Sequence, residues 1–198
     1  MAQSKNNNYH VVSFDSESLI RVDHDDNEVG FITKADAHVG HGVLHRAFSI
    51  FIFDFHGRLL LQQRSADKPL WPMCWSNSCC SHPRRGETME TATQRRLREE
   101  LGISPDLRFL YKFIYQADYG DKGAEHELCW VYIGRSNQRV QTNQAEIASW
   151  RFASVEEVSS ELQIRPELYT PWFKLEWARL MDQHRIDIEN LVPDRRQV

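Results

Sequence analysis

Between Trp75 and Ile103 the chain puts two adjacent thiols, Cys79 and Cys80, an imidazole at His82, and a run of guanidiniums and carboxylates within 29 residues. The run is Arg84, Arg85, Glu87, Arg95, Arg96, Glu99 and Glu100. Such a density of proton donors, acceptors and potential ligands fits metal binding and acid/base chemistry. Two other segments could complete a site. His38, His41 and His45 fall within eight positions, and Glu125 and Glu127 sit two apart in a segment that reads as a strand, which puts both carboxylates on one face with His126 opposite. Two buried carboxylates repel unless something neutralises them, and a divalent cation does so economically; an exposed edge strand is the alternative. His38, His45, His82, Glu125 and Glu127 form a mixed nitrogen and oxygen set suited to zinc, manganese or an iron-like ion rather than calcium. Cys80 is then free for chemistry, and a thiol near a metal or cationic groups can have its pKa lowered from about 8.5. Lys34, Arg64, Lys68 and Arg96 are candidates for a basic pocket that takes a diphosphate.

The elements that must position these groups are legible in outline. Strands are expected over Tyr9–Asp15, Ser18–Val22, Glu28–Ile32, Ala47–Phe55 (central and buried), from Leu59, over Leu107–Ala117, Glu125–Gly134 and Glu146–Phe152. On Leu107–Ala117 the alternation puts Leu107, Phe109, Tyr111, Phe113 and Tyr115 on one face. A helix is expected from Glu87 to Leu101, capped by Thr88 and ended by Gly102, with Arg96 and Glu100 on one face; taken alone, that pair reads as a solvated salt bridge. Ser154 and Glu157 form a capping box for a short helix to about Leu162. A longer helix starts at Thr170 with the stripe Phe173, Trp177, Leu180 and Met181, and Trp172 beside it. The expected organisation is a disordered tail over 1–8, one domain over 9–183, and a charged tail of open order over 184–198.

With 198 residues, 41% hydrophobic and 26% charged, the chain fits a soluble globular protein with a real core. A net charge of −4 gives no global footprint for nucleic acid, and no apolar run approaches the ~20 residues of a membrane span. The first residues lack the apolar region of a signal peptide, so a cytoplasmic protein with four reduced cysteines is expected.

Ser81–Ile103 resembles the Nudix signature: Glu87, Arg95, Leu97, Glu99, Glu100, Gly102 and Ile103 occupy its fixed positions, while Ser81 replaces its first glycine and Arg96 a glutamate. A cation in place of a carboxylate suggests a site that holds a diphosphate rather than cleaves it. Trp75–Pro83, the pair His38 and His45, Leu44–Ser49 and Glu125–Cys129 together resemble the type I isopentenyl diphosphate isomerases, from about Glu28 to about Trp177. The resemblance implies an α/β (α+β) Nudix fold, a mixed β-sheet flanked by helices with a C-terminal helical cap. It implies Cys80 as catalytic thiol, Glu127 as catalytic carboxylate with Tyr115 bonded to it, and Cys79 and Cys129 as packing residues. It implies His38, His45, His82, Glu125 and Glu127 as ligands of a first divalent metal (Mn²⁺ or Zn²⁺), and Glu100 with the Cys80 carbonyl as the site of a Mg²⁺ that arrives with substrate. Lys34, Arg64, Lys68 and Arg96 match diphosphate-binding positions, and Trp172 the aromatic wall of a hydrocarbon pocket. The implied partner is a small allylic or homoallylic diphosphate, with no flavin, nucleic acid or membrane; a monomer is expected, a dimer left open. Two rivals stay open at this point: a Nudix hydrolase of nucleoside diphosphate derivatives, against which Arg96 counts, and a non-catalytic Nudix-like binding module, against which Cys80, Glu127 and the histidines count.

Overall fold

The computed structural model describes residues 10–191. Its β-branched and aromatic runs form β1 (Ser18–Val22), β2 (Glu28–Thr33), β3 (His45–Phe53), β4 (Leu59–Arg64), β5 (Trp75–Ser76), β6 (Cys79–Ser81), β7 (Leu107–Asp118), β8 (Ala124–Arg135) and β9 (Ile147–Ala153). The helices are α1 (Lys34–Ala37), α2 (Met89–Leu101), α3 (Val155–Ile164), α4 (Pro171–Gln183) and α5 (Arg185–Leu191). The sheet is mixed: β3 runs parallel to β8 and antiparallel to β4 and β6, β8 pairs antiparallel with β7, and β4 pairs with β5 and β9.

β3 is apolar on both faces because both are covered. Phe48, Ile50 and Ile52 pack with Ala92, Leu97 and Leu101 of α2, while Phe51 and Phe53 pack with Val158 of α3, Phe173, Trp177 and Leu180 of α4, and Ile188 of α5. Burying a side chain of this size contributes about 1.5–3 kcal/mol each. Thr88 caps α2 by accepting from the Thr91 N–H, Gly102 ends it at φ 67°, and Ser154 and Glu157 make the capping box of α3.

Three expectations need correction, and one segment left open is settled. Residues 10–15 form no strand: the Val12 carbonyl accepts instead from Arg84 and Arg96, and His10 is tied to Asn143, so the arm is held by side chains rather than a ladder; Tyr9 and the tail over 1–8 lie outside the described residues. A bulge between Phe109 and Tyr111 breaks the alternation of β7, so Phe109 packs on Trp130 and Tyr132 instead of sharing the face of Tyr111 and Tyr115. Arg96 is not on a solvated helix face but 2% exposed. Residues 185–191, left open by the sequence, form α5, which buries Ile188; the rest of that segment lies outside the described residues.

Candidate active site

Strand register assembles the site. In the parallel pairing of β3 with β8, His45 faces Glu127; in the pairing of β7 with β8, Tyr115 faces Glu127 from the other side; and β6 sets Cys80 opposite Ser49 of β3. Because successive side chains alternate, the adjacent thiols part company. Cys79 packs toward α2 and contacts Glu100, whereas Cys80 turns to the α4 side with Ser49, Glu127 and Cys129. His38 arrives from the end of α1. Gly123 makes this approach possible: at φ 136°, a Cβ there would stand 2.3 Å from the His38 carbonyl. That carbonyl accepts from Ala124 N–H, which sets His38 beside Glu125.

His38, His45, His82, Glu125 and Glu127 present donor atoms all within 4.8 Å of one another. Their hydrogen bonds say what they are arranged for. Nδ1 of His38 is 2.7 Å from the Lys34 carbonyl and Nδ1 of His45 is 2.7 Å from that of Val43, so in both rings Nδ1 carries the proton and Nε2 the lone pair. His45 Nε2 is buried with no partner, and His38 Nε2 lies 2.9 Å from Glu125 Oε2. His82 Nε2 is 2.8 Å and His45 Nε2 3.8 Å from Glu127 Oε1. Lone pairs facing carboxylate oxygens need a positive centre between them, which fits a divalent cation. Burial and the neighbouring His38 lower the pKa of His45 to about 4, and burial with His45 lowers that of His82, so both are held in the neutral form that ligates metal.

A cavity of about 250 Å³ adjoins this cluster, and Cys80, Tyr115, Glu127, Trp172 and Leu70 share its wall with Lys34, Arg64, Lys68 and Arg96. The four expected cations therefore converge. Lys34 bonds Ser13, Lys68 bonds Glu146, and Arg64 lies 5.2 Å from the Trp172 ring while donating to the Leu70 and Trp71 carbonyls. Burial, then Lys68, lowers the pKa of Lys34. Arg96 commits its donors to Glu100, Glu99, Glu146 and the Val12 carbonyl. Glu100, 2% exposed, is not on the cavity wall and is matched by Arg96.

On the reacting side, Tyr115 O–H donates to Glu127 Oε2 at 2.6 Å, and Cys80 S–H donates to Asn77 Oδ1 at 2.8 Å. Burial, then the charge of Glu176, pushes the thiol up, so it rests protonated. Burial, then Glu125, likewise raises Glu127.

Sequence reading passed over Ser49, Asn77, Glu146 and Glu176. Two had a signal: Ser49 shares the period-2 face of His45 on β3, and Glu176 interrupts the apolar stripe of α4. Glu146 finds its partners in distant segments, whereas Asn77 bonds Ser76, Cys79 and Cys80 beside it as well as the Ile50 carbonyl.

Comparison with known proteins places the chain. Residues 43–175 match the NUDIX domain family model. Over 170 residues it is 44% identical to "Isopentenyl-diphosphate Delta-isomerase 1" of Photorhabdus laumondii, spanning 85% of this chain and 97% of that protein. It is 45% identical over 157 residues to "Isopentenyl-diphosphate Delta-isomerase" of Serratia proteamaculans, spanning 79% and 87%. Its fold is similar to the crystal structure of DR0079 from Deinococcus radiodurans, with a TM-score of 0.62, 25% identity, and coverage of 75% of this chain and 90% of that one. It is also similar in fold to a MutT protein of Methanosarcina mazei, with a TM-score of 0.60, 15% identity, and coverage of 72% and 96%.

Proposed function

The chain belongs to the Nudix family and, within it, to the isopentenyl-diphosphate Delta-isomerases, which convert isopentenyl diphosphate to dimethylallyl diphosphate, and we propose that Cys80 and Glu127 carry the two proton transfers. The carrying observation is that both groups line one cavity, on different strands, with an aromatic wall and Lys34, Arg64, Lys68 and Arg96 among the cations around them. An unactivated alkene must be protonated to a tertiary carbocation and a neighbouring carbon deprotonated, which needs two positioned acid/base groups. Cys80, which rests as the thiol, gives its proton to the terminal alkene carbon in this reading, and Glu127, held by Tyr115 and ionised when a metal is bound beside it, takes the proton from the neighbouring carbon. The cation has no heteroatom beside it; the Trp172 ring, buried at 3% exposure, stabilises it by ~2 kcal/mol. Water must be kept from the cation, because it would trap it.

Lys34, Arg64, Lys68 and Arg96 supply positive potential for the diphosphate, whose binding energy is spent away from the reacting carbons. Divalent metal would be held by His38, His45, His82, Glu125 and Glu127, as Mn²⁺ or Zn²⁺; a Mg²⁺ accompanying the diphosphate would be held by the Cys80 carbonyl and by Glu100 once that carboxylate exchanged its Arg96 partner for the ion. When bound, the first metal fixes Glu127 and tunes its acidity. Among the described residues no helix is long and apolar enough to cross a membrane.

The test is incubation with isopentenyl diphosphate and Mg²⁺ in D₂O. Deuterated dimethylallyl diphosphate without phosphate release is expected. Phosphate or pyrophosphate without the deuterated product restores the hydrolase reading.

A further inference from the structure

The segment before β1 lies outside the residues matched to the Nudix family, yet it reaches the cavity. It is pinned on both sides of Ser13. The Val12 carbonyl accepts from Arg84 Nη2 and Arg96 Nη1, each at 3.1 Å, and Phe14 N–H donates to Glu17 Oε1 at 3.2 Å. The segment also takes the first N–H groups of α1: Lys34 N–H donates to the Glu17 carbonyl at 2.8 Å, and Ala35 N–H to that of Asp15 at 3.0 Å. Ser13 and Lys34 are thereby fixed side by side, and both line the cavity with Lys68 and Arg96. These backbone and guanidinium bonds suffice to hold a strap, and none of them uses the Ser13 hydroxyl.

The Lys34 ammonium bonds Ser13 Oγ. An ammonium has donors only, so the hydroxyl oxygen is the acceptor and its own proton is left over. Among the described residues that proton has no acceptor. A hydroxyl with a spare proton, beside Lys34, Lys68 and Arg96 on a cavity wall, matches an anionic oxygen. Asp15 shares the wall but is exposed to solvent, which screens its charge. We infer that Ser13 is a diphosphate-binding residue: with its oxygen held by Lys34, its hydroxyl donates to a phosphate oxygen of the substrate. This rests on the cavity taking a diphosphate among Lys34, Lys68 and Arg96, as proposed above. A bond made away from the reacting carbons holds substrate and transition state alike, so its loss raises KM and leaves kcat in place.

The experiment measures kcat and KM of the full chain with isopentenyl diphosphate and Mg²⁺, the Kd of inorganic pyrophosphate with Mg²⁺ by calorimetry, and thermal melting. The variants are Ser13→Ala, Ser13→Thr, Phe14→Ala, Lys34→Met, and Ser13→Ala combined with Lys34→Met. Ser13→Ala is expected to raise KM and the pyrophosphate Kd about five- to twentyfold, with kcat within about twofold. Ser13→Thr keeps the hydroxyl and stays within about twofold of the parent. Phe14→Ala alters only an exposed neighbour and binds pyrophosphate as the parent does. Beside Lys34→Met, Ser13→Ala still weakens pyrophosphate about threefold or more, because the hydroxyl bonds the ligand itself. Ser13→Ala within about twofold of the parent in KM and Kd overturns the inference, as does a lowered kcat at unchanged KM. So do Ser13→Thr as damaged as Ser13→Ala, an equal rise in Phe14→Ala, or no effect of Ser13→Ala beside Lys34→Met. Lys34→Met separates the two levels. Weakened pyrophosphate binding there beside an unaffected Ser13→Ala sinks only the role of Ser13; unchanged binding there removes the diphosphate site and this inference with it.

Discussion

Replacing Glu176 with Gln changes how stability depends on pH, and the size of the change follows from where the carboxyl sits. Burial raises its pKa from 4.5 to about 8, against an opposing hydrogen bond from Cys129. Between these two values the folded chain binds a proton that the unfolded chain has released, so stability falls as pH rises. The contribution is fully present below 4.5 and is lost as pH climbs through about 8. Each pH unit in the window is worth about 1.4 kcal/mol, so from pH 5 to pH 7 this one group removes about 2.5 kcal/mol. The glutamine variant cannot titrate there. Its amide has its own unpaired donor and shifts stability by a constant, but a constant leaves the slope untouched. The assay is urea unfolding of both proteins at half-unit steps from pH 5 to 8, with the difference plotted against pH; every other titrating group cancels. A difference that grows by 2 kcal/mol or more toward pH 7 is expected. Parallel curves would refute the buried, proton-holding carboxyl.

Arg96→Met should destabilise the protein by about 3–5 kcal/mol in urea, because it leaves Glu100 and Glu146 buried and facing each other; a loss under about 1 kcal/mol contradicts the buried network. Tyr115→Phe removes the 2.6 Å hydrogen bond to Glu127 and should lower kcat by about tenfold or more at unchanged KM; an unaltered kcat would take Tyr115 out of the site's chemistry. His45→Ala removes the buried Nε2 that has no protein partner, and bound divalent metal measured by elemental analysis should fall with affinity reduced at least about tenfold; full metal content would show the cluster is not a ligand set.

The sequence showed most of the elements, because their signals are local. The apolar run of β3, the Thr88 and Gly102 ends of α2 and the capping box of α3 lie within a few residues of what they determine. The candidate site was legible for a different reason: several separated motifs resembled one family in order, and the registers of β3, β6, β7 and β8 then bring those residues together. What escaped was set by tertiary context. The bulge that turns Phe109 over depends on β8, the arm over 10–15 is held by guanidiniums from a distant helix and turn, and β5 and β6 are too short to show a period. Arg96 read as a solvated salt bridge because i,i+4 spacing says nothing of Glu146, the buried partner that makes it an interior group.

The central claim is that a protonated thiol on the wall of a cationic, aromatic cavity moves a proton of the substrate. Turnover of isopentenyl diphosphate by Cys80→Ala, with metal content and melting temperature measured beside it, tests this most directly. The account predicts a loss of at least about a hundredfold in kcat, with metal content, fold and KM retained; near-normal turnover would contradict it.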